Sequence, residues 1–301
     1  MSALSRRSFL AGGLAVGAAG FVLAACGSDD SSESSDLPDA TSGASNSGDP
    51  NRPDLVLVRF TIDGVLAAGI TQRIPVGLAD GAGLLLVDTP PELTLQLMSD
   101  SGPVGEPMTV ARHAEGLARP YYPVITELSD PGAYTLTGTV NGVDLQTAFT
   151  VVEPGEVPIP QIEDPLVPVV TPTTDDAHGV NPICTREPAC DLHDVTLTSA
   201  LTEGRPIAFL IATPAFCQTA ACGPVLDVLL TLQPEFSDVR MVHAEVYTDT
   251  SLESTTTAVQ DYNLAFEPVL YLANADGVIT SRLDSIYDVA ELRGELTKLV
   301  S

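Results

Sequence analysis

Pro206-Ile207-Ala208-Phe209-Leu210-Ile211-Ala212-Thr213-Pro214-Ala215-Phe216-Cys217-Gln218-Thr219-Ala220-Ala221-Cys222-Gly223-Pro224 decides how the second half of this chain is read. The first seven residues form an apolar run with no alternation, the pattern of a strand covered on both faces. Two cysteines follow in a C-x4-C spacing. Gly223-Pro224 then opens a segment of helical period to Gln233, proline being tolerated in a first turn. On a regular helix, residues five apart point about 140° away from each other, and their Cα atoms lie near the limit for a disulfide. Residues 217–223 are therefore predicted to be irregular, with the helix starting at Pro224. A thiolate just before a helix N-terminus is stabilised by free amides and the dipole. That makes Cys217 the nucleophile and Cys222 the resolving thiol of a candidate redox pair, although an inert structural disulfide fits the same residues.

Outward from this stretch, Val239 to Tyr247 reads as a strand, Leu252 to Tyr262 as a polar helix and Pro268 to Ala273 as a second apolar strand. Asn274-Ala275-Asp276-Gly277 supplies a turn, and Val278 to Leu283 returns. Asp288 to Val300 closes with a helix that carries Leu292, Leu296 and Leu299 at 3–4 spacing. The predicted order over 195–301 is β–loop–α–β–α–β–β–α.

This order resembles the thioredoxin-like superfamily, closest to the membrane-tethered TlpA/ResA-type and AhpC/TSA-related groups. Thr213-Pro214-Ala215-Phe216-Cys217 stands where the family has its aromatic residue and nucleophile. Glu267-Pro268 stands where it places a cis-proline, and Asn274-Ala275-Asp276-Gly277-Val278-Ile279 resembles its D-x-D-G-x-I hairpin. The resemblance implies an α/β thioredoxin-like domain over 181–301, with catalytic Cys217 and Cys222 and with Pro268 presenting backbone to substrate. The departure is at the cysteines. The family has C-x-x-C, Phe216 replaces the usual tryptophan, and Val225 stands where a C-G-P-C motif starting at Cys222 would have its second cysteine. C-x4-C also resembles a peroxiredoxin of the bacterioferritin-comigratory type. That family needs a threonine three residues before the nucleophile, where this chain has Pro214, and an arginine near Pro268, where it has Glu267. A copper site of the Sco type would need C-x3-C and a downstream histidine, and the last histidine is His243. Glu267 and Glu245 are candidate proton acceptors near the dithiol, or partly solvated charges.

Cys184 and Cys190 form a second pair, in Ile183-Cys184-Thr185-Arg186-Glu187-Pro188-Ala189-Cys190. They are expected as a structural disulfide, with a relay exchanging with Cys217–Cys222 as the functional alternative. His178 and His193 flank them, but C-x5-C with scattered histidines matches zinc spacings poorly. No cofactor or metal is expected.

Residues 53–153 read as an all-β, immunoglobulin-like sandwich. Leu55 to Phe60, Leu93 to Leu97, Tyr134 to Val140 and Leu145 to Val152 have strand length and pattern. Asn141-Gly142 between the last two calls for a type I′ hairpin, and Pro131-Gly132-Ala133-Tyr134 resembles the corner of immunoglobulin-like domains. His113 is alone and reads as a solvated loop residue. The module reads as a spacer or partner-docking unit. Residues 154–180 are proline-rich and read as an extended, semi-rigid linker.

The N-terminus fixes the expected compartment. Arg6 and Arg7 are the only charges in residues 1–25, and an apolar run from Phe9 to Ala25 follows them, so this is a targeting segment. Ser5-Arg6-Arg7-Ser8-Phe9-Leu10 resembles the twin-arginine export motif, and Leu23-Ala24-Ala25-Cys26-Gly27 resembles a bacterial lipobox with Cys26 as the lipidated residue. Residues 26–52 hold almost no large apolar side chain and read as a disordered tether from that anchor. With Cys26 lipidated, four of the five cysteines remain. A net charge of −27 argues against nucleic acid and against direct adhesion to anionic headgroups. The expectation is therefore a lipid-anchored thiol–disulfide oxidoreductase at the outer face of the cytoplasmic membrane. Its partners would be exported proteins with thiols or disulfides and a membrane electron donor or acceptor. The alternative from another class is a non-catalytic surface binding or scaffold lipoprotein with structural disulfides.

Overall fold

The computed structural model describes residues 54–301. The export motif at Arg6 and Arg7, the lipobox at Cys26 and the tether lie outside them. The described chain is mostly β, with three sheets and few helices. No described helix is long and apolar enough to cross a membrane.

Seven strands build the first part: β1 (Leu55–Arg59), β2 (Thr71–Asp80), β3 (Glu92–Ser99), β4 (Gly102–Ala111), β5 (Tyr122–Glu127), β6 (Gly132–Val140) and β7 (Val143–Val151). They form two antiparallel sheets, in the orders β1-β2-β5 and β4-β3-β6-β7. Leu57, Ile74, Val76 and Val124 of one sheet meet Leu93, Leu95, Leu97, Leu136 and Phe149 of the other in one core, as in a β-sandwich. Asn141 and Gly142 both have positive φ, 50° and 73°, which is the type I′ geometry that joins β6 to β7 with matching twist. The Tyr134 hydroxyl donates to the Asp130 carbonyl at 2.8 Å, closing the corner that leads into β6.

The second part contains α1 (Leu197–Ala200), β8 (Ile207–Ile211), α2 (Cys222–Leu232), β9 (Arg240–Ala244), α3 (Thr257–Asp261), β10 (Val269–Ala273), β11 (Ile279–Asp284) and α4 (Val289–Leu299). The sheet order is β11-β10-β8-β9, with β8 and β9 parallel and the other pairs antiparallel. All five residues of β8 are buried because both faces are covered. Ala208 and Leu210 pack with α2 and α4, whereas Ile207, Phe209 and Ile211 pack with α1 and α3. The parallel β8–β9 crossover through α2 sets the end of β8 beside the start of α2, which is where the two cysteines stand.

Several expectations need correction. The helix predicted over 252–262 covers only Thr257–Asp261, because the preceding residues turn back so that Tyr247 bridges Thr255. Part of the segment read as an extended, semi-rigid linker packs on the second part. The Leu166 amide donates to the Gly277 carbonyl, Glu163 and Asp164 exchange backbone hydrogen bonds with Ile279, and Leu166 and Val169 are buried beside β8 and β10. His113 is not a solvated loop residue. Its Nδ1 lies 2.9 Å from Asp288 Oδ1, and the other Asp288 oxygen accepts from the Ala114 and Glu115 amides. Arg73 makes a two-pronged ion pair with Glu291 at 2.6 and 2.7 Å, and Tyr121 donates to the same carboxylate. Arg282 donates to the Val65 carbonyl, and Ser285 to that of Phe60. These contacts knit the sandwich and the β8–β11 sheet into one body.

Candidate active site at the end of β8

The apolar run stops at Ala212, and residues 213–221 turn before α2. Ala220 takes a positive φ of 56°, and its amide donates to the Cys217 carbonyl at 3.3 Å, so the segment between the cysteines is a tight turn. That resolves the spacing problem as expected, except that the helix begins at Cys222 rather than Pro224. Cys217 sits half-buried just outside the helix, and Cys222 is fully buried at its first residue.

The Cys222 amide donates to Cys217 Sγ at 3.2 Å, and Thr219 Oγ1 lies 3.3 Å from the same sulfur. A sulfur that receives hydrogen bonds at a helix N-terminus favours its anionic form. The Cys222 thiol first, then Thr219 and the amides, lower the Cys217 pKa to about 5 against the cost of burial. Burial and the neighbouring Cys217 push the Cys222 thiol far up. The two sulfurs thus have opposite characters, a half-buried Cys217 that favours the thiolate and a fully buried Cys222 that favours the thiol.

Glu267 completes the cluster. Its carboxylate and both sulfurs lie within 4.8 Å of one another. Burial raises the Glu267 pKa and the Cys217 charge adds to the effect. Pro268 follows it, buried, with a cis Glu267–Pro268 bond, and its carbonyl accepts from the Ser285 amide. Phe216 is half-exposed beside Cys217. Glu245, the other carboxylate read from sequence, faces elsewhere. It is 1 % exposed, and its Oε1 accepts from the Thr185 amide at 2.5 Å.

Cys184 and Cys190 come together but are free thiols with their sulfurs 3.7 Å apart, in place of the expected bridge. His243 of β9 and His193 enter the same space. The Cys184 loop is tied to the turn that carries Cys217, because the Ala215 amide donates to Thr185 Oγ1 at 3.0 Å. Sequence reasoning missed Thr219, for which there is no local signal. It also missed His243, whose place within a buried strand hides it among apolar neighbours.

No family model matches the chain, and no curated protein is similar to it. Among solved structures, a conjugative transposon lipoprotein from Bacteroides eggerthii is similar over 32% of this chain and 95% of that chain, at 10% identity and a TM-score of 0.21. Domains 4 and 5 of the S-layer protein SbsC are similar over 34% of this chain and 54% of that chain, at 20% identity and a TM-score of 0.21.

Proposed function

We propose that the chain is an extracytoplasmic, lipid-anchored thiol–disulfide oxidoreductase whose reacting pair is Cys217 and Cys222. The observation that carries this reading is the asymmetry of the pair: a half-exposed Cys217 held as thiolate by a helix-end amide, above a fully buried Cys222 thiol. A structural disulfide has no need of that difference, whereas stepwise thiol exchange depends on it. The sheet order β11-β10-β8-β9 with one parallel pair, and Pro268 beside the dithiol, support a thioredoxin-like fold for 181–301. The Tyr134–Asp130 corner supports an immunoglobulin-like sandwich for 53–153. The sequence at Arg6, Arg7 and Cys26 supports export and anchoring.

In the reducing direction, Cys217 Sγ attacks one sulfur of a substrate disulfide. The Cys217–substrate bond forms as the substrate S–S bond breaks, and the departing substrate thiolate takes a proton from solvent. Cys222 then loses its proton to Glu267 and attacks Cys217 Sγ, which releases the second substrate thiolate. The chain ends as the Cys217–Cys222 disulfide and the substrate as a dithiol, two electrons having passed between them. The reverse sequence oxidises a substrate dithiol.

Replacing Cys222 with serine removes the resolving step. Cys222→Ser is expected to accumulate mixed disulfides at Cys217 when the full chain is expressed in an exporting host, visible as reducible adducts by mass spectrometry. Cys217→Ser is expected to give none. Equal trapping by the two variants would contradict the assigned order of attack.

A further inference from the structure

Cys184, Cys190, His193 and His243 form a second cluster, in which one donor atom from each residue lies within 4.8 Å of the others. All four side chains are buried, His193 and His243 almost completely. The sulfurs are 3.7 Å apart, the facing nitrogens His243 Nδ1 and His193 Nε2 are 3.2 Å apart, and His243 Nδ1 lies 3.5 Å from Cys190 Sγ and 3.9 Å from Cys184 Sγ. Four ligands placed tetrahedrally round zinc, with Zn–S near 2.3 Å and Zn–N near 2.0–2.1 Å, have edges of about 3.8 Å for S–S, about 3.3 Å for N–N and about 3.6 Å for S–N. Each observed edge agrees to within about 0.3 Å of that tetrahedron.

The surroundings fit the same occupant. His243 Nε2 lies 3.0 Å from the Ala212 carbonyl; a proton there is donated to the carbonyl and leaves the Nδ1 lone pair facing the cluster. The Cys190 amide donates to Cys184 Sγ at 3.4 Å, a contact that stabilises a metal-bound thiolate. His193 turns its Nε2 to the cluster, 3.2 Å from His243 Nδ1. Two thiolates and two neutral imidazoles balance a divalent cation, so the filled site is neutral and suits an apolar interior.

The geometry points to a closed, tetrahedral Cys2His2 site for a zinc ion, formed by Cys184, Cys190, His193 and His243 and separate from the dithiol. Binding sends the two thiol protons to solvent, one from each cysteine. With four protein ligands and no open position, the site is structural. It clamps the Cys184 loop, through Thr185 and Ala212, against the turn that carries Cys217.

The test uses the full chain, purified under reducing conditions and given zinc, then freed of excess metal. Elemental analysis is expected to find one zinc per chain, and the same in the Cys217→Ser/Cys222→Ser double variant. His193→Ala, which leaves both cysteines in place, is expected to lose stoichiometric zinc. Should that variant fail to fold, cobalt(II) in the unaltered chain decides. A tetrahedral ligand-field spectrum with thiolate-to-cobalt charge transfer supports the site, and the weak bands of an octahedral ion overturn it. The proposal also falls if zinc is lost in the double variant, or if the chain taken from membranes with thiols blocked carries a Cys184–Cys190 disulfide. None of these readouts involves exchange at Cys217.

Discussion

In the proposed exchange Cys217 is the attacking residue, and its hydrogen bonds make a quantitative claim. Alkylation of the reduced chain is expected to show Cys217 reacting with a pH midpoint near about 5, and Thr219→Ala is expected to move that midpoint upward. A midpoint at the ordinary thiol value of 9.0 would contradict the helix-end environment. The linked stability has a definite sign. A group whose folded pKa is depressed stabilises the fold above its unfolded pKa and loses that contribution as pH falls through the folded one. The reduced chain should therefore gain stability between about pH 5 and 9 relative to Cys217→Ser. This site was legible in the sequence because it is local: an apolar run, a break, two cysteines and Gly-Pro stand within one stretch. The Cys2His2 cluster was not, because its residues are scattered from 184 to 243 and meet only where the loop before α1 lies against β9, the His243 amide donating to the Leu192 carbonyl.

At the scale of elements, α4 depends on a carboxylate that does three things at once. Asp288 caps the helix by accepting from the Glu291 amide, accepts from two amides of the sandwich and meets His113. Asp288→Ala removes the cap and strands buried donors, so a loss of about 1–3 kcal/mol is expected in denaturant unfolding. The Asp288 contact raises the His113 pKa above its ordinary 6.5. Burial opposes ionisation of Asp288, but His113 and the amides hold its pKa below 3.8. The His113 contribution is complete below about pH 6.5 and fades as pH rises through its raised value. The Asp288 contribution is complete above about pH 3.8 and fades as pH falls through its lowered value. The difference in Tm between the unaltered chain and His113→Ala should thus be largest between these limits and shrink at alkaline pH; a flat difference would contradict the pairing. The β6–β7 hairpin was readable from Asn141-Gly142 alone. β2, β4 and β5 were not, since Pro75 faces Pro123 across β2 and β5, and Pro103 and Pro107 interrupt the edge strand β4. Prolines in a strand remove donors and disguise it as loop.

Across the whole molecule, the sandwich and the β8–β11 sheet are joined by buried polar contacts rather than by a loose linker. Sequence reading divided them because Pro154 to Pro172 looks like a spacer. The prolines are real, but Leu166 and Val169 between them are buried on the sheet, and no sequence pattern reports a partner that far away. Arg73 and Glu291 are each about one-tenth exposed. Removing one member of such a buried pair strands the other, at a cost of about 3–5 kcal/mol. Calorimetry is expected to show one cooperative transition for the described body and a lower Tm, or two transitions, for Arg73→Ala. Two transitions in the unaltered chain would contradict a single body. The central claim, that Cys217 and Cys222 exchange with substrates, is tested most directly by their reduction potential in the full chain, by glutathione titration with mass-spectrometric mapping. The account predicts a value between about −120 and −270 mV, the range of thiol oxidoreductases. A value below about −300 mV, typical of structural disulfides, would contradict it and leave a stapled surface protein.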